Sequence, residues 1–182
     1  MTLSSDGVGV VSLVGGESTG KSTLAAALGA ALPALVVDET LRRFVADRGR
    51  VPTVDEQRAV MTTQIAREAE ARKEAASAGR QWVVSDGGAL MTAVYSIVYY
   101  QDGSLLDTAL AHQRGCALNV LCDTDFEWQR DEGQRDGPQA RDEAQQVLLG
   151  LAARRELPLL TAAGSVDDRV ALVTAALAVT DQ

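Results

Sequence analysis

Residues 15–22 read Gly15-Gly16-Glu17-Ser18-Thr19-Gly20-Lys21-Ser22, and they match the phosphate-loop pattern G-x-x-x-x-G-K-[ST]. The run Val8–Val14 before this loop is short, apolar and rich in β-branched residues, which is typical of a buried strand. The alanine-rich run that begins at Thr23 favours a helix. A strand, a glycine-rich loop and a helix in this order predict a site for nucleotide phosphates.

The residue types in this loop supply the groups that bind a polyphosphate. Glycine lets the backbone curl so that its N–H groups face the phosphate oxygens, and the helix N-terminus adds positive potential. We expect Lys21 to reach the β- and γ-phosphates and the Ser22 hydroxyl to bind Mg²⁺, so the predicted cofactors are ATP and Mg²⁺. The predicted nucleotide-binding residues are Gly15, Gly16, Glu17, Ser18, Thr19, Gly20, Lys21, Ser22 and Thr23.

Length and composition predict one α/β domain over residues 1–182, with 46% hydrophobic and 23% charged residues. The net charge of −8 argues against a general nucleic-acid or anionic-membrane surface. The first apolar run lacks a preceding basic segment, and none approaches the ~20 residues of a membrane-spanning helix, so we expect a cytoplasmic protein. Cys116 and Cys122 form no metal-binding pattern and are expected to be reduced core thiols. The sequence leaves the oligomeric state open.

Strand and helix patterns alternate after the phosphate loop. Further strands are predicted at 35–37, 81–86, 117–122 and 159–161, and helices at 40–48, 52–77, 89–99, 104–114, 141–154 and 167–178. This alternation predicts a parallel sheet with right-handed crossovers and helices on both faces. Such sheets bind ligands at the carboxyl ends of their strands, so side chains at those ends are the candidates for function.

Carboxylates follow two of the predicted strands at that edge. Asp86 ends the third strand and is predicted to hold Mg²⁺ together with Ser22, the alternative being a turn residue before two glycines. Asp38 and Glu39 follow the second strand, and one of them is expected to accept the proton of an acceptor hydroxyl. The alternative for this pair is a helix N-cap. Arg42, one helical turn along, is expected to bind the substrate or its phosphate.

The segment 123–141 is polar, rich in arginine and interrupted by glycine. It is a candidate lid that closes over ATP, excludes water and brings Arg130, Arg135 or Arg141 to the phosphates. The alternative is a surface loop of mixed charge that leads into a helix.

Aromatic and imidazole side chains are few in this chain. His112 is the single histidine and is expected to pack rather than to catalyse. The tyrosines at 95, 99 and 100 are expected in the core, and a clamp for a flat base is the alternative.

Together these motifs resemble a known family, the ribosylnicotinamide kinase domain of the bacterial NAD-biosynthesis regulator, an AAA-type ATPase domain. The matching positions span nearly the whole chain and are the loop 15–23, Glu39-x-x-Arg42, Gln64, Asp86 with Thr92, Trp128, Asp131, Arg135, and Gly164 with Arg169. The resemblance implies a P-loop kinase fold with strand order 2-3-1-4-5. It also implies Mg-ATP-dependent phosphorylation of the 5′-hydroxyl of nicotinamide riboside to nicotinamide mononucleotide.

The residue patterns and the resemblance together give one set of predicted site residues. The predicted catalytic residues are Lys21, Glu39, Asp86, Arg130 and Arg135. The substrate-binding residues would be Asp38, Glu39, Arg42 and Thr92. The regulator has DNA-binding and adenylyltransferase domains as well, and we expect this chain to be a standalone kinase-like domain.

Two features of the chain differ from the family pattern. The family carries Asp-x-Asp after its third strand, whereas the second position here is Gly88, and the lid motif at 131–135 is one residue longer. Gly88 favours an alternative function, a nucleotide-dependent regulatory ATPase or switch with a protein partner. A further alternative is a kinase for a different nucleoside or a small alcohol.

Overall fold

The computed structural model describes residues 7–125, 127 and 137–179. Within these residues the strands are β1 Gly9–Val14, β2 Ala34–Val37, β3 Trp82–Asp86, β4 Leu118–Cys122 and β5 Leu160–Ala162. The helices in the same ranges are α1 Lys21–Ala31, α2 Thr40–Arg48, α3 Val54–Ser77, α4 Gly88–Tyr100, α5 Leu106–Arg114, α6 Pro138–Arg154 and α7 Val166–Ala178.

The described strands form one parallel sheet in the order β2-β3-β1-β4-β5, which confirms the predicted fold class and strand order. Every residue of β1 is buried because helices cover the sheet on both faces. Helices α1 and α7 pack on one face of the sheet, and α3, α4, α5 and α6 pack on the other. The three layers place the carboxyl ends of β1, β2 and β3 side by side, and the predicted site residues follow these ends.

The largest difference from the predicted element bounds is at the start of α6. This helix begins at Pro138, three residues earlier than expected, because proline suits the first turn of a helix, where no N–H partner is needed. Arg141 therefore lies in the first turn of α6 and not in a loop. Arg130 and Arg135 lie outside the described residues, so the lid remains a prediction. No helix in the described ranges is both long and apolar enough to cross a membrane.

Both cysteines are free and buried, as the sequence predicts. Burial raises the pKa of the Cys116 thiol to about 12 and that of Cys122 to about 11. Because the thiolate is the nucleophile, we expect neither thiol of the folded protein to react with an aromatic disulfide reagent at about pH 8. Both should react in denaturant, as measured by the absorbance of the released thiol. Rapid modification of either cysteine under native conditions would contradict this prediction.

Candidate nucleotide-binding site

The phosphate loop joins β1 to α1 and depends on a close backbone contact at Gly15. This residue has φ of 145°, and a Cβ atom added there would lie 2.9 Å from the carbonyl oxygen of Cys122. The chain therefore leaves β1 by a path that a side chain at this position would obstruct. At the other end of the loop Gly20, with φ of 81°, is the N-cap of α1. The loop and the start of α1 thus have the geometry that the motif predicts.

The ammonium group of Lys21 lies over the first two residues of this loop. Its Nζ donates to the carbonyl oxygens of Gly15 at 2.9 Å and Gly16 at 2.8 Å. The hydroxyl of Thr19 also donates to the Gly16 carbonyl, at 2.9 Å. The lysine is buried, so its charge acts in surroundings that contain little water to screen it. The loop therefore holds a fixed positive charge beside its backbone.

The side chains of Ser22 and Asp86 meet at the carboxyl edge of the sheet. The Ser22 hydroxyl donates to Oδ2 of Asp86 at 2.6 Å. Asp86 is only 4% exposed, and its Oδ1 has no hydrogen-bond partner among the described residues. A buried carboxylate oxygen without a partner is costly, and hydroxyl and carboxylate oxygens are ligands that Mg²⁺ prefers. These two residues therefore fit the predicted metal ion.

The carboxyl group of Glu39 lies next to Asp86. A Cβ atom added at Gly87 would lie 3.0 Å from Cγ and Oε1 of Glu39, so this carboxyl packs against the residue that follows Asp86. Burial raises the pKa of Glu39, and the charge of Asp86 adds to this, while Lys21 and Arg42 oppose it. The structure thus brings the loop, the Ser22–Asp86 pair and a carboxyl group of increased basicity to one place.

The remaining predicted substrate residues lie in different surroundings. Arg42 is exposed on α2, close enough for its charge to affect Glu39. Asp38 is exposed, and its backbone carbonyl accepts a hydrogen bond from Arg67 at 2.6 Å. Thr92 is buried in α4. Of the two adjacent carboxylates, Glu39 is therefore the one that packs against the residue after Asp86.

Helix α6 contacts the phosphate loop through Gln145, which the sequence analysis missed, and through Arg141, which it named. The Gly16 N–H donates to Oε1 of Gln145 at 3.0 Å, and Nε2 of Gln145 donates to the Cys122 carbonyl at 3.3 Å. A Cβ atom added at Gly16 would lie 2.9 Å from Cγ of Arg141. Gln145 is buried on the same face of α6 as Leu148. A polar residue on an otherwise apolar helix face interrupts the sequence pattern, and this interruption could have identified Gln145 as a residue with a specific contact.

Arg169 connects the phosphate loop to the segments that follow β4 and β5 through hydrogen bonds and an ion pair. Its side chain is 1% exposed, and its guanidinium donates to the carbonyl oxygens of Thr19 at 2.8 Å and Gly164 at 3.1 Å. It also forms an ion pair with Asp125. A buried guanidinium with these partners fixes the second half of the phosphate loop.

We expect Arg169→Met to destabilise the protein by about 3 kcal/mol, because it leaves buried carbonyl groups and a carboxylate unpaired. The measurement is denaturant unfolding followed by circular dichroism. The matched control is Arg155→Met, since Arg155 is exposed and its contact with Asp107 is a surface pair at 3.8 Å. Equal stability of the two variants would contradict this role for Arg169.

Packing explains the glycine at position 88. Gly88 has φ of 49°, and a Cβ atom added there would lie 2.4 Å from Oγ of the buried Ser12 in β1. A side chain at this position would require the Ser12 hydroxyl to move, and the positive φ is one that residues with a side chain rarely adopt. Both features favour glycine over the acidic residue of the Asp-x-Asp pattern.

Comparisons with solved structures find proteins of similar fold, among them NadR and a thymidylate kinase. NadR in complex with NAD and AMP-PNP matches with a TM-score of 0.70 and 21% identity over 92% of this chain and 49% of that one. NadR in complex with NR matches with a TM-score of 0.67 and 22% identity over 87% and 46%. Thymidylate kinase from Ehrlichia chaffeensis matches with a TM-score of 0.67 and 13% identity over 94% and 99%.

The chain spans about half the length of the NadR chains that it matches. At these identities the likeness shows the fold, and it confirms the resemblance seen in the sequence. No curated protein sequence matches the chain significantly. A protein-family model described as an AAA domain matches residues 10–169, which is most of the chain, and the chain therefore belongs to the AAA domain family.

Proposed function

We propose that this protein is an Mg-ATP-dependent kinase that phosphorylates the hydroxyl group of a nucleoside, with nicotinamide riboside as the first candidate. One observation carries the proposal. The phosphate loop with Lys21, the Ser22–Asp86 pair and the carboxyl of Glu39 lie together at one edge of the sheet. A phosphate-binding group, a metal-binding pair and a base are the parts that phosphoryl transfer needs.

In the proposed reaction the loop binds the phosphate tail and Lys21 neutralises its β- and γ-phosphates. Ser22 and Asp86 would hold Mg²⁺, which when bound would supply electrostatic stabilisation of the transferring group. The acceptor oxygen forms a bond to the γ-phosphorus, the bond to the β-phosphate oxygen breaks, and ADP leaves with that electron pair. The acceptor proton passes to Glu39, whose raised pKa suits it to this task. The products are ADP and the phosphorylated nucleoside.

Arginine side chains would balance the negative charge of the transferring group. Arg141 packs against Gly16 of the loop through its backbone carbonyl and its Cγ, and its Nε pairs with Asp142 at 3.1 Å. We propose that Arg141 contributes to this charge balance from the first turn of α6. We propose that Arg130 and Arg135 assist from the segment 123–141.

Aromatic side chains near Glu39 support an acceptor with a flat ring. The rings of Tyr95 and Tyr99 stack with centroids 6.0 Å apart and an interplanar angle of 27°. Burial raises the pKa of Tyr95, and the charge of Glu39 raises it further, so Tyr95 is within electrostatic reach of the proposed base. Tyr99, stacked on it, is exposed. A solved NadR complex contains NR, which makes nicotinamide riboside the first acceptor to test.

The test is an assay of purified protein with Mg-ATP and a panel of nicotinamide riboside, other nucleosides and small alcohols. ADP formation is measured enzymatically, and the phosphorylated product is identified by mass spectrometry. A Lys21→Met preparation corrects for contaminating kinases. If no acceptor raises ADP formation above background hydrolysis, the kinase proposal fails.

A further inference from the structure

One buried amide connects the strand end that carries Glu39 to the strand end that carries Asp86. This amide belongs to Gln64 on α3. Its hydrogen bonds go to the neighbours of the two carboxylates, Thr40 and Ser85, and not to the carboxylates themselves. We propose that Gln64 is a positioning residue that fixes Glu39 relative to Asp86, and this inference rests on the proposed function.

The oxygen of the Gln64 side chain holds the start of α2. Its Oε1 accepts hydrogen bonds from the backbone N–H of Thr40 at 2.8 Å and from the Thr40 hydroxyl at 2.6 Å. Thr40 is the first residue of α2 and follows Glu39 directly. Because Gln64 is only 2% exposed, water does not compete for these bonds. The backbone that leads out of Glu39 is therefore attached to α3.

The nitrogen of the same amide holds the end of β3. Its Nε2 donates to the Ser85 hydroxyl at 3.0 Å and to Oε1 of Glu68 at 3.3 Å. Ser85 directly precedes Asp86 in β3. Both lone pairs of the oxygen and both N–H groups of the amide are thus used. A flipped amide would turn its NH₂ group towards the Thr40 N–H, so the network permits only one orientation.

Further buried groups hold the amide in place. The Glu68 carboxylate is buried and accepts from the Ser85 hydroxyl at 2.5 Å, while Nε2 of His112 lies 2.6 Å from its second oxygen. His112 is therefore a polar partner of Glu68 in this buried network. Arg67, one turn from Gln64, donates to the Asp38 carbonyl at 2.6 Å and so holds the residue before Glu39. A connected polar network of this kind gives the edge of the sheet one well-defined geometry.

The spacing between a base and a metal-bound phosphate matters for the transfer step more than for nucleotide binding. A displacement of ~1 Å at a reacting centre can cost ~10²-fold in rate. Gln64 does not contact the phosphate loop, which carries most of the groups expected to bind ATP. Its loss should therefore lower kcat for transfer and leave the affinity for Mg-ATP nearly unchanged.

The experiment compares Gln64→Met with Gln57→Met. Gln57 is the same residue type on the same helix, is 3% exposed, and its Oε1 has no hydrogen-bond partner among the described residues. For Gln64→Met we expect kcat for the phosphorylated acceptor to fall by ~10- to 100-fold, while the Kd for Mg-ATP by calorimetry changes by less than about threefold. Gln57→Met should retain the wild-type kcat.

A second pair of variants distinguishes a loss of positioning from a folding defect. Thr40→Val removes the hydroxyl that Gln64 binds, whereas Thr40→Ser keeps it, so Thr40→Ser should restore most of the kcat that Thr40→Val loses. The inference is overturned if Gln64→Met retains wild-type kcat, or if Thr40→Val and Thr40→Ser are equally active. If the wild-type protein phosphorylates no acceptor, the proposed function itself fails, and the assay of the wild-type protein shows this independently of the Gln64 and Thr40 variants.

Discussion

Replacing Lys21 by methionine should lower kcat for phosphoryl transfer by ~10³-fold or more, because the variant loses the charge that faces the phosphate tail. Methionine keeps a similar length and apolar stem, but it cannot donate to the carbonyl oxygens of Gly15 and Gly16, which lie 2.9 and 2.8 Å from Nζ. The loop would then lose both its cation and the contacts that hold its first two residues. Initial rates of ADP formation with a saturating acceptor measure the effect.

The matched control for this substitution is Lys73→Met, since Lys73 is the other lysine of the chain. Its side chain is 70% exposed and, within the described part of the chain, forms an ion pair with Glu70 one helical turn away. We expect wild-type kinetics from Lys73→Met. A Lys21→Met enzyme that retains a tenth or more of the wild-type kcat would show that the loop does not work as proposed.

Replacing Glu39 by glutamine should lower transfer by ~10²- to 10³-fold, because glutamine cannot accept the acceptor proton. The shape of the side chain is retained, so the affinity for Mg-ATP should stay close to that of the wild type. Asp38→Asn is the discriminating comparison, since Asp38 is exposed and lies beside Glu39 in the chain. If Asp38→Asn abolishes transfer and Glu39→Gln does not, the base has been assigned to the wrong carboxylate.

The pH dependence of kcat/KM, compared between the wild type and Glu39→Gln, tests the assignment of Glu39 as the base independently. Burial raises the pKa of Glu39, and Glu39 must be ionised to accept a proton, so kcat/KM should fall as the pH falls through this raised value. The fall should begin above the pH at which an ordinary glutamate titrates. Glu39→Gln should remove this acid limb from the residual activity.

The same pKa shift predicts an effect of opposite sign on stability. A carboxyl whose pKa is raised by folding stabilises the folded state below its ordinary pKa, and this stabilisation is lost as the pH rises through the raised value. At neutral pH the ionised Glu39 therefore weakens the fold. Glu39→Gln should melt at a higher temperature than the wild type near pH 7, which is the pattern of a residue retained for function at the expense of stability.

Local sequence patterns were sufficient to predict the phosphate loop, the strand before it and the helix after it. Gly15, Gly20 and Lys21 belong to one short segment, and their spacing appears in the sequence as a motif. The placing of Asp86 and Glu39 at one edge follows from the parallel sheet, because strand ends in such a sheet lie side by side. These residues were therefore found without coordinates.

The contacts that hold the loop could not be found in this way. Arg169 bonds to Thr19 across 150 positions of the chain, and Gln145 bonds to Gly16 across 129. Such pairs depend on how helices of two different layers pack against the sheet, and no local pattern encodes this packing. The early start of α6 was different, since Pro138 itself signals a first helical turn.

Calorimetric titration of Mg-ATP into the folded protein tests the central claim most directly, because every proposed role depends on capture of the phosphate tail by the loop. We predict saturable binding by wild-type protein and by Lys73→Met, and a loss of that heat in Lys21→Met. If well-folded wild-type protein binds no Mg-ATP, or if Lys21→Met binds it equally well, the result would contradict the account.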